Sequence, residues 1–233
     1  MNAREKIFAN IATALDRDGP KLTRKQNAHA RIDTHGRGPI PGRGQKTGSE
    51  LIDEFVNEAV RADGEVIKLK STNEIVENVL TIAKGAVGGR NSNICPNICI
   101  APNMVLGALD WRGDNVNVTF GPASPTDNVG VSMARMGVGE TGTLVLLSGP
   151  ESPVSINFLP DIHVVVLFSD DILPTYEDVW DIIRANNVSG AVMPRTVNWI
   201  TGPSRTADIE QSLLLGAHGP RRLVILLIDG KKT

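Results

Sequence analysis

Residues 144–147, 163–168 and 223–228 constrain the fold of this chain most, because each run is apolar at nearly every position. A strand with one wet face alternates polar and apolar residues, whereas an unbroken apolar run is covered on both faces, as in parallel sheets flanked by helices. Further strand candidates lie at 65–70, 98–101, 116–120 and 129–133. Helical spacing appears between some of them. Leu51, Ile52, Phe55, Val56, Ala59 and Val60 share one face after Thr47-Gly48-Ser49-Glu50, which has the form of a capping box. Ser71-Thr72-Asn73-Glu74 repeats that form before Ile75, Val76, Val79, Leu80 and Ala83, and Thr175 is placed to cap a helix carrying Tyr176, Val179, Trp180 and Ile183. The order of elements predicts an α/β fold with a three-layer, Rossmann-like, mostly parallel sheet.

Ahead of this region, Ile7, Phe8, Ile11, Ala12 and Leu15 give residues 3–16 one apolar stripe, stopped by Asp18-Gly19-Pro20. From residue 21 to 46, seven basic residues face a single acid, Asp33, with frequent Gly and Pro, so this stretch reads as a linker or docking arm. Within it, His35 to Thr47 superficially resembles a phosphate loop, but Gln45 stands where a glycine must precede the lysine, and no strand leads in. The chain as a whole carries a formal charge of −2, and the arm lacks interleaved aromatics, which argues against nucleic acid as its partner. No apolar run approaches the roughly 20 residues that cross a bilayer, and the expected location is cytoplasmic. Cys95 and Cys99 are too few for a four-thiolate zinc or iron–sulfur site, so no metal site and no cofactor are assigned to this chain. Any electron transfer it serves needs another subunit.

Two Gly/Ser/Thr-rich segments carry the candidate chemistry. In Gly137-Val138-Gly139-Glu140-Thr141-Gly142-Thr143, Glu140 sits where a buried strand meets a loop, between glycines that let a ligand approach the backbone. A carboxylate there suits a general acid or base, a nucleophile, or a partner to a cationic ligand; otherwise it holds the turn by accepting loop N–H bonds. In Thr201-Gly202-Pro203-Ser204-Arg205-Thr206-Ala207-Asp208, Pro203 suits the first turn of a helix whose free N–H groups would bind an anion, helped by the Ser204 and Thr206 hydroxyls and an Arg205 clamp. The alternative is an ordinary capped helix with Arg205 paired to Asp208. His163 and His218 lack metal-ligand spacing; His163 reads as structural, and His218, in a Gly-rich turn, is carried as a ligand-binding candidate. The ligand-binding set is therefore Gly139, Thr141, Gly142, Thr143, Gly202, Ser204, Arg205, Thr206, Asp208 and His218, with Glu140 as the catalytic candidate.

Several long motifs in one order carry a family likeness: residues 139–153, then Leu159-Pro160-Asp161-Ile162-His163, then residues 200–210, then Leu215-Gly216-Ala217-His218-Gly219-Pro220-Arg221. Together they resemble the LUD-domain family, in its lactate utilization protein C (LutC/YkgG-like) branch. His35-Gly36-Arg37-Gly38-Pro39-Ile40-Pro41 is similar to that family's N-terminal extension. The resemblance implies a fold like that of ribose-5-phosphate isomerase, glucosamine-6-phosphate deaminase and CoA transferases (NagB/RpiA/CoA-transferase-like). It divides the chain into an N-terminal helix and basic arm over 1–46 and a LUD-like domain over 47–233. It also implies a non-redox part in oxidising L-lactate to pyruvate beside two iron–sulfur partner proteins, LutA and LutB, with a small-anion or nucleotide-like pocket. Two other readings stand beside it. One is a free-standing enzyme on a phosphorylated sugar, a folate or an acyl-CoA, using Glu140; the other is an assembly scaffold. The sequence leaves a homo-oligomer open.

Overall fold

Residues 223–228, the longest apolar run, become the strand next to the middle of a six-stranded parallel sheet. A computed structural model describes residues 2–14, 21–87, 95–113, 115–188, 193–207, 213–215 and 218–230. In chain order its elements are α1 (Ala3–Ala14), α2 (Lys21–Thr34), α3 (Gly48–Arg61), β1 (Glu65–Leu69), α4 (Ile75–Val87), β2 (Asn97–Ile100), α5 (Met104–Gly107), β3 (Asn117–Phe120), β4 (Val129–Met133), β5 (Met136–Val138), β6 (Thr143–Leu147), β7 (Ile162–Phe168), β8 (Ile172–Leu173), α6 (Tyr176–Val188), β9 (Val197–Ile200), β10 (Arg205–Ala207), β11 (Leu213–Leu215) and β12 (Arg222–Ile228). The chain forms two compact units, Met1–Pro39 and Ile40–Thr233.

In the second unit the main sheet runs β1-β12-β7-β4-β2-β3, with every pairing parallel. Strand periodicity of two divides β7 between its faces. Val164, Val166 and Phe168 pack with α4 residues Ile75, Val79 and Ile82, while Val165 and Leu167 pack with Leu51, Phe55 and Ala59 of α3. Both faces are thus dry, which is why the run needs no polar residue. Phe55 is fully buried, and its truncation to alanine would cost about 3–5 kcal/mol.

A second sheet, β8-β5-β6-β9, lies on the α3 side. Here β5–β6 and β6–β9 are antiparallel and β5–β8 parallel. Residues 144–147 therefore belong to a largely antiparallel sheet, although their apolar run resembles a parallel strand. The reason is cover from both sides: Leu144 and Leu146 join the α3 core, while Val145 packs with Met136, Val138 and the α6 residues Val179 and Ile183. Short β5, β8 and β9 have no sequence signal of their own beyond β-branched and aromatic content.

Three helix starts differ in their chemistry. The Thr175 hydroxyl donates to Asp178 Oδ2 at 2.8 Å and accepts from the Asp178 N–H at 3.3 Å, and the Ser71 N–H donates to Glu74 Oε1 at 3.1 Å, so both expected caps form. Thr47 makes no side-chain cap bond to α3; instead the Lys46 ammonium pairs with Glu54, about two turns into the helix.

In the first unit, residues 21–34 of the stretch that reads as a linker or docking arm form helix α2. Its Lys, Leu, Arg, Gln and Ala content has good helix propensity, and no Gly or Pro intervenes before Gly36. Helix α1 begins at a reciprocal cap in which the Glu5 N–H donates to Asn2 Oδ1 at 2.8 Å and the Asn2 N–H to Glu5 Oε2 at 2.9 Å. Its stripe residues Ile7, Phe8 and Ile11 are exposed. Among the described residues no helix is long and apolar enough to cross a membrane.

Candidate functional site

The two Gly-rich segments converge because the strands they adjoin are hydrogen-bonded neighbours. β6 follows the first segment and β9 precedes the second, and Leu144 lies opposite Ile200 in the register. At that end Thr143 Oγ1 lies 2.6 Å from Thr201 Oγ1, 2.7 Å from Thr141 Oγ1 and 2.9 Å from the Tyr176 hydroxyl. Both segments press on the last turn of α3. A Cβ on Gly142 would stand 2.1 Å from the Ala59 nitrogen, and one on Gly202 would stand 2.0 Å from the Ala62 oxygen. Both glycines also have positive φ, of 62° and 78°. Gly139 is confined as well: a Cβ on it would stand 2.2 Å from Leu51 Cδ1.

The acid and the guanidinium are each engaged elsewhere. Glu140, 7% exposed in the turn Gly139–Thr141, accepts the Tyr176 N–H at 3.4 Å, so its carboxylate faces the N-terminus of α6, where the helix dipole favours negative charge. Arg205 donates to the Ala62 carbonyl at 2.8 Å and pairs with Asp63 at 2.5 Å, which makes it a C-terminal cap on α3. Among the described residues no helix follows Pro203; Arg205–Ala207 is a strand paired with Leu213–Leu215. Its geometry is set by the left-handed Gly202 and by the Ser204 N–H, which donates to the Pro220 carbonyl at 2.8 Å and draws the segment outward toward the turn before β12. Asp208 and the Thr206 side chain lie outside the described residues.

That bond from Ser204 to Pro220 closes one wall of a hollow of about 200 Å³. Its lining includes Gly202, Ser204 and His218 from the predicted set, together with Asn157, Phe158, His163, Trp199 and Leu223. Glu140, Thr141, Thr143 and Arg205 are not among the lining residues. The hollow opens at the N-terminal edge of β7 and β12, where His163 and Leu223 are register partners. His163 is 1% exposed, and its Nε2 shares a hydrogen bond of 2.7 Å with the Ser132 hydroxyl on neighbouring β4. Burial pushes its pKa down to about 3, so the imidazole is neutral. A second hollow, lined by Lys68, Lys70, Ser169 and Asp229, lies beyond the carboxyl ends of β1, β7 and β12. Open α/β sheets often bind ligands at such an edge, but here the Ser169 hydroxyl is already tied to Asp229 and to the Gly230 N–H.

Compared with known protein families, residues 52–228 match the LUD domain. The chain belongs to the LUD domain family. Among curated relatives, lactate utilization protein C of Bacillus subtilis (strain 168) is 36% identical over 122 residues, covering 52% of this chain and 50% of the relative. The protein of the same name from Geobacillus thermodenitrificans (strain NG80-2) is 34% identical over 109 residues, covering 47% and 45%. The chain thus spans about half the length of the curated relatives it matches. Among solved structures, a DUF162 family protein from Deinococcus radiodurans superposes with a TM-score of 0.56 at 19% identity, covering 79% of this chain and 99% of that one. That likeness bears on the fold.

In this LUD domain the residues missed by sequence reasoning are Ser132, Asn157, Phe158 and Trp199, and His163 was assigned a structural role. The available signal was a histidine at the head of an otherwise apolar strand. Its meaning depends on Ser132, 31 positions away, which only strand pairing brings to it.

Proposed function

We propose that this chain is a non-redox component of L-lactate utilization, serving the oxidation of L-lactate to pyruvate beside iron–sulfur proteins that accept the two electrons. The relatives named lactate utilization protein C, similar over the LUD region, carry this reading. The cysteine count agrees with it, since Cys95 and Cys99 alone cannot ligate a four-thiolate cluster. The site we assign is the hollow at Gly202, Ser204 and His218, and of the two ligand types expected, the ring end of a nucleotide-like one, with its phosphate outside, suits a lining without Lys, Arg, Asp or Glu among the described residues better than a small anion. Exposed Ile7, Phe8 and Ile11 on α1 supply an apolar stripe for docking on the partners.

Deleting the gene in its native host and growing the cells on L-lactate as sole carbon source tests the role. Loss of growth restored by the intact gene is expected, and undiminished growth overturns the proposal. Recovery of the iron–sulfur proteins in a pull-down tests docking. Replacing Ile7, Phe8 and Ile11 with serine should reduce that recovery, and equal recovery would remove the docking role.

The free-standing enzyme reading depends on Glu140 reaching a substrate. Its bond to the Tyr176 N–H and its place outside the hollow's lining favour the turn-holding role instead.

A further inference from the structure

Two buried side chains that line the hollow each carry a polar atom with no hydrogen-bond partner among the described residues: Asn157 Oδ1 and His163 Nδ1. Asn157 is 2% exposed and His163 1%, and both residues line the same hollow. An unpaired buried polar atom costs about 1–3 kcal/mol, so folds retain few of them without a partner from outside the chain. Asn198 Nδ2 is also unpaired, but Asn198 does not line the hollow.

We infer that the hollow binds a small uncharged ring, or the ring end of a larger molecule, whose amide-like edge donates an N–H to Asn157 Oδ1 and pairs a second polar atom with His163 Nδ1. Charge argues against the usual alternative: among the described residues the lining holds no Lys, Arg, Asp or Glu, so a carboxylate or phosphate entering it would lose water without gaining a counter-charge from them. Shape agrees, because Trp199, Phe158, Ile200, Pro220 and Leu223 offer flat and apolar surface. Size agrees too, since an engineered cavity of about 150 Å³ takes up benzene and this hollow is about 200 Å³. The Ser132 hydroxyl adapts the site. It can donate to His163 Nε2, leaving Nδ1 as the N–H donor, or accept from it, leaving Nδ1 as an acceptor.

This inference names the ligand class of the pocket proposed above and is independent of the role in lactate utilization. Benzamide and benzoate separate the chemistry, since they share a shape and differ in N–H donor and charge. Titration calorimetry on the full chain should show benzamide binding at least tenfold tighter than benzoate. Asn157→Leu should weaken benzamide about tenfold, the effect of losing one buried hydrogen bond. Because that variant alters a buried position, the ¹⁵N resonances of the His163 imidazole in the unaltered protein give a second reading. They should move on adding benzamide and stay in place with benzoate. Absence of benzamide binding by both measurements, equal binding of benzoate, or unchanged affinity in a folded Asn157→Leu protein would each overturn the inference. Failure here with growth on lactate still dependent on the gene would discard the ligand class and keep the metabolic role.

Discussion

Thr143 Oγ1 and Thr201 Oγ1 lie 2.6 Å apart, although 58 positions separate them in the chain. This contact fastens the two Gly-rich segments at the end of the β6–β9 pair, and it places the loop that walls the hollow. Thr143 is fully buried and also meets Thr141 and Tyr176, so Thr143→Val takes a hydrogen bond from three hydroxyls, of which Thr141 and Tyr176 keep their own contact at 3.1 Å and Thr201 loses its side-chain partner. We expect a loss of about 1–3 kcal/mol in urea unfolding. In a double-mutant cycle with Thr201→Val, the two losses should be non-additive by at least about 0.5 kcal/mol. Simple additivity would show that the contact carries no energy.

Gly142 and Gly202 are fixed by close approach to the backbone of α3. An alanine at either needs a left-handed backbone, costing about 1–2 kcal/mol, and forces a methyl against main-chain atoms, costing about 1–3 kcal/mol more. Gly142→Ala and Gly202→Ala should each lower the melting temperature by roughly 4–20 °C for a chain of this size. Gly149→Ala, where an added Cβ meets nothing within 4 Å, should leave it nearly unchanged. Equal behaviour of all three would contradict the packing described.

The buried neutral His163 makes stability depend on pH in one direction. Above the unfolded-state value of about 6.5 neither state is charged and the residue contributes no dependence. Below it the unfolded chain takes up a proton that the folded chain refuses until about pH 3, so stability falls as pH falls through this window. Between about pH 7 and pH 5 the loss should be about 2 kcal/mol in the native sequence and absent from His163→Gln, compared by urea unfolding at each pH. Parallel curves for the two proteins would refute the assignment.

Glu140 holds the start of α6 and stands apart from the hollow. Glu140→Gln should therefore cost roughly 0.5–1 kcal/mol of stability by weakening the interaction with the helix N-terminus, while benzamide affinity stays within twofold of the unaltered chain. A folded variant with abolished binding would return Glu140 to the site.

Much of the main sheet is legible in the sequence because its strands carry their environment in their composition. The apolar runs at 163–168 and 223–228 are dry on both faces, and nothing but a doubly covered sheet satisfies them. The second sheet is less legible. Residues 144–147 look like a parallel strand because α6 supplies from outside the cover that a second helical layer would give. At the site, Gly202, Ser204 and His218 were visible as turn and donor residues, since Gly and Ser announce loops by local chemistry. Arg205 reads as an anion clamp in the sequence because the partners it takes in the fold, the Ala62 carbonyl and Asp63, lie about 140 positions away. Asn157 and His163 enter the proposed site through the pairing of β4 with β7 and the closure of the loop at Pro220, which no local pattern announces.

A crystal structure of the full chain soaked with benzamide tests the central claim most directly. The account predicts the ring in the hollow, with its amide nitrogen within about 3.2 Å of Asn157 Oδ1 and a polar atom on His163 Nδ1. A hollow holding only ordered waters bonded to both atoms, with benzamide absent, would contradict it.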